Sequence, residues 1–347
     1  MGVSLWELPL SQDQEQAREQ LGLTSPQPIP TLLQVMIKKA VASFSFFAKV
    51  SGLSSSSSEP MLCSLSSHNI VKVPSSKLFV SEPNPAWFGN EKNPGYNPSW
   101  TESNWLKSRF HFSFAEYSNR RNSNFGCIRV VNDDLVQPSR GFGTHPHANQ
   151  EIVTYIVEGK LTHQDSMGTK ESLGRGSVQF MTAGTGVSHS EHNMSEDKPL
   201  RFIQTWITPS RNNLPPNYGS SVGDEAMRWN QWQHLVSSVD SRDTKATVQI
   251  NQDCNVYSSE LELGTTLTIP ISEGRMAYMI ALEGSVKVGN IVLDRHDAVE
   301  ITPSSTEGKG ELEVTSVAVE KAEHGKEVAH VLLFEMKHVH GAGRGDL

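Results

Sequence analysis

Short runs that alternate between apolar and polar residues dominate the chain from residue 68 onward. Gly, Pro, Asn and Asp separate these runs, which are rich in β-branched and aromatic residues. This pattern is typical of short β-strands joined by turns. The runs are NIVKVP, KLFVSE, CIRVVN, EIVTYIVEG, SVQFMTAG and RFIQTWITP, then ATVQI, NVYSSELEL, MAYMIALEGSVKVG and HVLLFEM. The pattern therefore predicts an all-β fold of the sandwich or barrel kind.

One segment favours a helix instead. GDEAMRWNQWQHLVSS, residues 223–238, is the best candidate for a long amphipathic helix. We expect it to link the two halves of the chain.

A weak internal repeat relates these halves. IVEGKLTH (156–163) resembles ALEGSVKV (281–288), and Gly159 aligns with Gly284 at an offset of 125 residues. In each copy a hydrophobic strand runs into Glu-Gly and a second alternating strand follows, which suits a hairpin turn. The repeat predicts two β-barrels of similar design in tandem.

Composition and pattern divide the chain into four segments. Residues 1–67 include a basic, Ser-rich stretch at 36–58, and no acidic residue occurs between Glu19 and Glu59. We interpret 1–67 as a disordered or targeting-like extension, and translation from Met36 would expose a signal for organelle import. Residues 68–222 are expected to form the first domain, 223–338 the second, and 339–347 a flexible tail.

The charge balance narrows the function classes. The chain has 38 acidic and 30 basic residues and a net charge of −8, which argues against binding nucleic acid through its phosphates. It lacks the run of roughly 18 apolar residues that a membrane helix needs. Cys63, Cys127 and Cys254 form neither a disulfide framework nor a zinc motif, so we interpret them as small hydrophobes. We expect a monomer in the cytoplasm, with the nucleus as the alternative.

Two histidine-containing pairs indicate a metal site. His145 and His147 in THPHANQE are two residues apart, and so are His189 and Glu191 in GVSHSEHN. On a strand, residues at this spacing face the same side, so each pair can contribute two ligands to one ion. Three imidazoles and one carboxylate suit Fe(II), Mn(II), Cu(II), Ni(II) or Zn(II). An ion that prefers six ligands would keep two positions for substrate, water or dioxygen.

The sequence around these pairs resembles the pirins of the cupin superfamily. GFGTHPHANQEIVTYIVEGKLTHQDSMG and QFMTAGTGVSHSEHN carry the match, which extends over roughly residues 68–338 and is nearest to the bacterial quercetinase-type pirins. The resemblance implies a bicupin of two antiparallel jelly-roll barrels. It also implies one metal ion, most often Fe(II), bound by His145, His147, His189 and Glu191. Glu151 matches the Glu of the first cupin motif, for which the resemblance implies a supporting role.

The same resemblance implies a quercetin 2,3-dioxygenase. Such an enzyme uses dioxygen to open the ring of a small aromatic flavonol, with loss of carbon monoxide. Glu191 is the only carboxylate among the four residues, so it is the candidate base for the 3-hydroxyl proton. One alternative is a redox-sensing transcriptional co-regulator, in which iron controls contact with a protein partner. A zinc- or manganese-dependent isomerase or hydrolase is another, because the fold does not select the chemistry.

The second half is expected to lack the metal site. At the offset of 125 residues the four ligands fall on Pro270, Ser272, Val314 and Ser316, and His296 is the only histidine between residues 250 and 323.

Several other residues are candidates for supporting positions. We expect His163 to be a hydrogen-bonded barrel histidine and His111 to pack near the pocket mouth or the domain interface. Phe180 and Met181 are expected to line the first barrel. His192 should face away from its neighbour Glu191.

Overall fold

The computed structural model describes residues 68–93, 104–242, 244–304 and 311–338, together with the backbone of residues 63–65. Nearly every regular element in this part of the chain is a β-strand, so the all-β prediction is confirmed. Most of the expected extension, residues 1–67, and all of the expected tail, residues 339–347, lie outside the described residues.

The described residues of the first half form thirteen strands and two short 3-10 helices, at Ser75–Lys77 and Pro85–Phe88. The strands are β1 (Cys63–Leu65), β2 (His68–Val73), β3 (Phe79–Ser81), β4 (Leu106–Phe110), β5 (Ile128–Val136), β6 (Arg140–His147), β7 (Glu151–Glu158), β8 (Lys160–Asp165), β9 (Lys170–Gly174), β10 (Val178–Thr182), β11 (Val187–Asn193), β12 (Leu200–Ile207) and β13 (Asn217–Ser221).

A one-turn helix, α1 (Glu225–Arg228), leads into the second half. The strands that follow are β14 (Gln233–Ser238), β15 (Val248–Ile250), β16 (Cys254–Leu261), β17 (Thr266–Thr268), β18 (Arg275–Glu283), β19 (Ser285–Val288), β20 (Ile291–Leu293), β21 (Ala298–Pro303), β22 (Glu313–Ala318), β23 (Glu320–Lys321) and β24 (Glu327–Lys337).

The first domain combines a large sheet with a small one. The large sheet has seven strands in the order β13-β10-β7-β12-β5-β4-β3, and the small sheet has the order β6-β11-β8-β9. Neighbouring strands in both sheets run antiparallel. Strands β6 and β11, which carry the two histidine-containing pairs, are therefore neighbours in the small sheet.

The second domain repeats this plan. Its small sheet has the order β17-β22-β19-β20, and its large sheet runs β1-β2-β21-β18-β24-β16-β14-β15, with β23 paired to β24. The strands of the two small sheets thus follow one another in the same order along the chain and across the sheet. The prediction of two similar antiparallel domains in tandem is confirmed.

The two glycines of the internal repeat make equivalent turns. Gly159 joins β7 to β8 with φ of 76°, and Gly284 joins β18 to β19 with φ of 64°. A Cβ atom would lie 2.4 Å from the Pro199 carbonyl oxygen at the first turn and 2.5 Å from the Ala318 carbonyl oxygen at the second. Both turns therefore need a residue without a side chain.

Strand β2 joins the sheet of the second domain, although the expected boundary assigned residues 68–73 to the first. It pairs with β21, from His68 opposite Pro303 to Val73 opposite Ala298. Ile70 packs in the core inside the second domain. The local pattern indicates that a strand forms here, but the choice of sheet depends on distant residues.

The prediction of a long helix over residues 223–238 is wrong. Only Glu225–Arg228 is helical, and Gln233–Ser238 is strand β14, paired with β16. The helix ends at its C-cap residue Trp229, which is extended with φ of −73° and ψ of 112°, and Asn230 follows with φ of 52°. The following residues bury Leu235 and Val236 in a sheet, so tertiary packing overrides the local helical pattern.

Alternate residues of the first domain's large sheet face two different cores. In β12, Phe202 enters the cluster inside the first domain, whereas Ile203 and Ile207 enter a larger cluster. That larger cluster also contains Tyr278 and Phe334 from the second domain. The second domain therefore covers the outer face of this sheet, and the inner face is left for the site.

This alternation separates two residues that we expected together. Met181 packs inside the first domain with Ile152 and Val187, as predicted. Phe180 lies in the shared interdomain cluster, so its predicted place in the first barrel is wrong. Adjacent residues of one strand point to opposite faces, and Met181 holds the inward position.

Candidate metal centre

Strands β6 and β11 bring the two histidine-containing pairs side by side. His145 is the direct register partner of His189, and Phe142 that of Glu191, so β6 has an extra residue between these points. Such a bulge redirects side chains and is common beside active sites. Gly141 allows the two strands to approach, because a Cβ there would be 2.4 Å from the Glu191 carbonyl oxygen.

The three predicted histidines converge. The ring centroids of His145 and His147 are 4.8 Å apart, and those of His145 and His189 are 4.5 Å apart. Across the register pair, the Nε2 atoms of His145 and His189 are separated by 3.1 Å. One potential ligand atom from each of the three rings lies within 4.8 Å of the others.

The nitrogen atoms of these rings fit a bound metal ion. The Nδ1 atom of His145 lies 2.8 Å from the Gly143 carbonyl oxygen, so it donates a proton there and leaves a lone pair on Nε2. The Nε2 atom of His147 is buried and has no hydrogen-bond partner among the described residues. Buried polar atoms are rarely left without a partner, and a metal ion would satisfy this one.

The protonation state of the rings also fits. Burial lowers the pKa of His145, and burial together with neighbouring histidines lowers the pKa values of His147 and His189 well below the ordinary value. All three rings are therefore neutral near pH 7, which is the form that binds metal ions.

Glu191 lies beside this histidine cluster and is almost completely buried. The amide nitrogen of Gln204 donates to its Oε2 at 2.7 Å, and that of Gln179 donates to its Oε1 at 3.2 Å. The indole of Trp206 donates to Gln204 Oε1 at 3.2 Å and so orients that amide. Burial raises the pKa of Glu191 to about 7, although the hydrogen bond from Gln204 lowers it.

His163 is closer to the centre than its expected role as a barrel histidine indicated. It forms a second group of potential ligands with His189 and Glu191, again within 4.8 Å. Its Nε2 atom lies 3.0 Å from Asp165 Oδ2, which confirms that it is hydrogen-bonded. The sequence alone did not give this position, because it depends on the pairing of β8 with β11, which sets His163 opposite Glu191.

Apolar and aromatic groups surround the histidines. The Trp206 ring meets His147 edge to face at a centroid distance of 4.9 Å, and Tyr218 stacks on His163 at 4.6 Å. Ile152, Met181 and Val187 form the adjoining cluster, against which Trp206 and Tyr218 pack.

Two further predicted residues lie at the domain interface. His111 Nδ1 is 2.9 Å from the hydroxyl of Tyr278, which belongs to the second domain. Glu151 accepts hydrogen bonds from Thr182 and from the side chain of Asn251, at 2.8 and 2.9 Å. Its interactions therefore join the two domains.

In the second domain, apolar residues occupy the positions equivalent to His145 and His189. Leu267 pairs with Val314 where His145 pairs with His189, so the expected counterparts Pro270 and Ser272 are wrong by three residues. Val314 packs in the core inside this domain, with Leu267 against it. The described part of the second domain contains no group of three potential ligands.

The fold and the centre define a two-domain cupin with a histidine-rich cluster in its first domain. The family model described as Pirin matches residues 95–207, and the quercetinase C-terminal cupin domain matches residues 235–336. A pirin-like protein of Caulobacter vibrioides is 36% identical over 219 residues, 63% of this chain and 90% of that protein. The chain belongs to the pirin family.

Other similar proteins are named for an activity or described with a bound metal. Quercetin 2,3-dioxygenase of Escherichia coli K12 is 37% identical over 197 residues, 57% of this chain and 83% of that protein. The crystal structure of the E. coli pirin YhhW in complex with nickel(II) is 28% identical, has a TM-score of 0.62, and covers 78% of this chain and all of YhhW. In the described residues of the present chain, no helix has the length and apolar character to cross a bilayer.

Proposed function

We propose that this protein is a metal-dependent dioxygenase that opens the ring of a flavonol such as quercetin. The observation that carries the proposal is the convergence of three neutral imidazoles beside the buried carboxylate of Glu191. The similarity to quercetin 2,3-dioxygenase of E. coli supports the choice of reaction.

The proposed ligands are His145, His147, His189 and Glu191, and the proposed ion is Fe(II). The donor set contains nitrogen and oxygen but no sulfur, which also suits Mn(II), Cu(II), Ni(II) or Zn(II). Bound Fe(II) would supply Lewis acidity toward the flavonol hydroxyl and the redox capacity that a reaction with dioxygen requires.

Residues of the chain would bind the substrate and move its proton. Glu191 accepts the 3-hydroxyl proton, since it is the only carboxylate among the proposed ligands. Gln179 and Gln204 hold this carboxylate in place through their amide groups. The edge of Trp206 and the neighbouring apolar side chains suit a flat aromatic ring.

The test is oxygen uptake by protein with a known metal content. The protein is purified without air, its metal is counted by mass spectrometry, and quercetin loss and dioxygen loss are followed together. The proposal is supported if the wild type consumes quercetin and dioxygen in equal amounts and the His145→Ala variant consumes neither. His192→Ala is the matched control, because His192 is on the same strand but faces away from the cluster, and it should keep activity.

The other outcomes separate the alternatives. Bound iron without uptake across several flavonols and catechols would contradict the dioxygenase and favour a regulatory protein. Bound zinc without uptake would favour chemistry that does not use oxygen.

A further inference from the structure

Two cysteines from different domains meet at the domain interface. Cys127 immediately precedes β5 of the first domain, and Cys254 begins β16 of the second. The sequence gives no indication that they are neighbours, because strands β5 to β13 of the first domain and β14 and β15 of the second lie between them along the chain.

A methionine links the two thiols. The Cys127 Sγ atom is 3.7 Å from Met336 Sδ. Met336 on β24 is in turn the direct register partner of Cys254 on β16. A hydrogen bond with the Cys127 thiol, followed by burial, raises the pKa of the Cys254 thiol well above its ordinary value. Three sulfur atoms of the two domains therefore form one cluster.

The two cysteines differ in exposure. Cys254 is completely buried, whereas Cys127 is partly exposed. Cys127 lies in a tight turn in which the backbone N–H groups of Phe125 and Ile128 donate to each other's carbonyl oxygens, both at 2.9 Å. A reagent in solution can therefore reach Cys127 first, and Cys254 is placed to react with the product.

We propose that Cys127 and Cys254 form a reversible disulfide that covalently joins the two domains under oxidising conditions. The oxidant is a low-molecular-weight disulfide such as oxidised glutathione. The Cys127 thiolate attacks one of its sulfur atoms, forms a mixed disulfide and releases one glutathione thiolate. Cys254 sulfur then attacks the Cys127 sulfur, the second glutathione leaves, and the Cys254 proton passes to it. Two thiols are oxidised and one glutathione disulfide is reduced to two glutathione molecules.

The cross-link would fix a contact that is otherwise only non-covalent. The turn at Cys127 leads into β5, and β5 pairs with β12, which carries Gln204 and Trp206 of the candidate centre. A bond to Cys254 would therefore hold this side of the first domain against the second. The inference does not depend on the metal or on the proposed reaction.

The test uses the full chain in glutathione redox buffers of graded ratio. Samples are quenched with acid, alkylated and digested, and peptides containing the cysteines are identified by mass spectrometry. The expected result is a linked Cys127–Cys254 peptide under oxidising buffer that disappears on reduction. Oxidation should also raise the thermal unfolding midpoint by about 5 °C, since a long loop is closed.

Single variants provide the controls. Cys127→Ala and Cys254→Ala should each abolish the linked peptide and the shift in unfolding midpoint. Cys63→Ser should retain both. Either alanine variant is informative only when its circular dichroism matches the reduced wild type, and Cys127→Ala, at a partly exposed position, provides the test if Cys254→Ala does not fold.

Three outcomes would overturn the inference. They are glutathione retained on Cys127 without a linked peptide, pairing of either cysteine with Cys63, and a linked peptide that leaves the unfolding midpoint unchanged.

Discussion

His145 uses its two ring nitrogens for different purposes. The backbone of Gly143 occupies Nδ1, and Nε2 is directed to His189. These contacts place the ring proton on Nδ1 without a charged partner. The ring therefore stays neutral, and its Nε2 lone pair is available to a metal ion. In the proposed site the negative charge comes from Glu191 alone, and three neutral nitrogens with one carboxylate leave a divalent ion with a net charge of about +1.

The role of Glu191 predicts that proton transfer and metal binding can be separated. Glu191→Gln keeps the size of the side chain but removes the base, so kcat for quercetin should fall by roughly 100-fold or more. The three histidines remain, and metal should still bind with lower affinity. Metal content and kcat are measured on the same sample, and full turnover in this variant would show that another group accepts the proton.

At the scale of strands and turns, the alternation of side chains made the shared face of each histidine-containing pair predictable. Residues two apart share a face, so His145 with His147, and His189 with Glu191, followed from the sequence. The pairing of β8 with β11 that brings in His163 did not, because pairing is set by distant residues. The same limit explains the shift from Pro270 to Leu267, since loop lengths differ between the two domains.

The close packing of the turn at Gly284 predicts a large loss of protein stability when a side chain is added there. Gly284→Ala combines a positive φ with a Cβ atom 2.5 Å from the Ala318 carbonyl oxygen, so backbone must move. We expect a loss of about 2–4 kcal/mol in the free energy of unfolding, from chemical denaturation. Gly168→Ala is the control. Its φ is 96°, but nothing lies within 4 Å of the added atom, so the loss should be about 1 kcal/mol. Equal losses would mean that steric contact at Gly284 is unimportant.

At the scale of the whole molecule, a buried charge network holds the domains together. Arg175 of the first domain and Arg228 of α1 both contact Glu260 Oε1 on β16, at 2.8 and 2.9 Å. His324 contacts the other oxygen of Glu260 at 2.9 Å. Since these groups are mostly removed from water, each charge depends on its partner.

Removing the central carboxylate should therefore be costly. Glu260→Gln leaves two buried arginines without full compensation, and we expect a loss of about 3–5 kcal/mol in the free energy of unfolding. Glu225→Gln is the control, because Glu225 pairs with Lys326 at the surface and should contribute no more than about 1 kcal/mol. Similar effects in both variants, measured by urea unfolding, would contradict the importance of the network.

The carboxylate of Glu260 also makes the stability of the domain interface depend on pH. Burial by itself would raise the pKa of Glu260, but the charges of His330, Arg175 and Arg228 lower it from 4.5 to about 2. A lowered folded-state pKa stabilises the protein above pH 4.5, and that contribution is lost as the pH falls toward 2. The difference in unfolding free energy between wild type and Glu260→Gln should shrink over this range. A difference that stays constant with pH would be inconsistent with this account.

The pairing of β2 with β21 sets an order of events during translation. His68 and Pro303 are 235 residues apart (303 minus 68), so at about 5–20 residues per second the ribosome needs roughly 12–47 s to supply the partner of β2. The first domain can form in that interval. Until β21 has been synthesised, Ile70 and Val73 have no sheet of the second domain against which to be buried. Strand β2, which completes the sheet of the second domain, is thus synthesised before the strands β14 to β24 of that domain. A fragment that begins at residue 223 would lack it and expose the edge of β21 to aggregation.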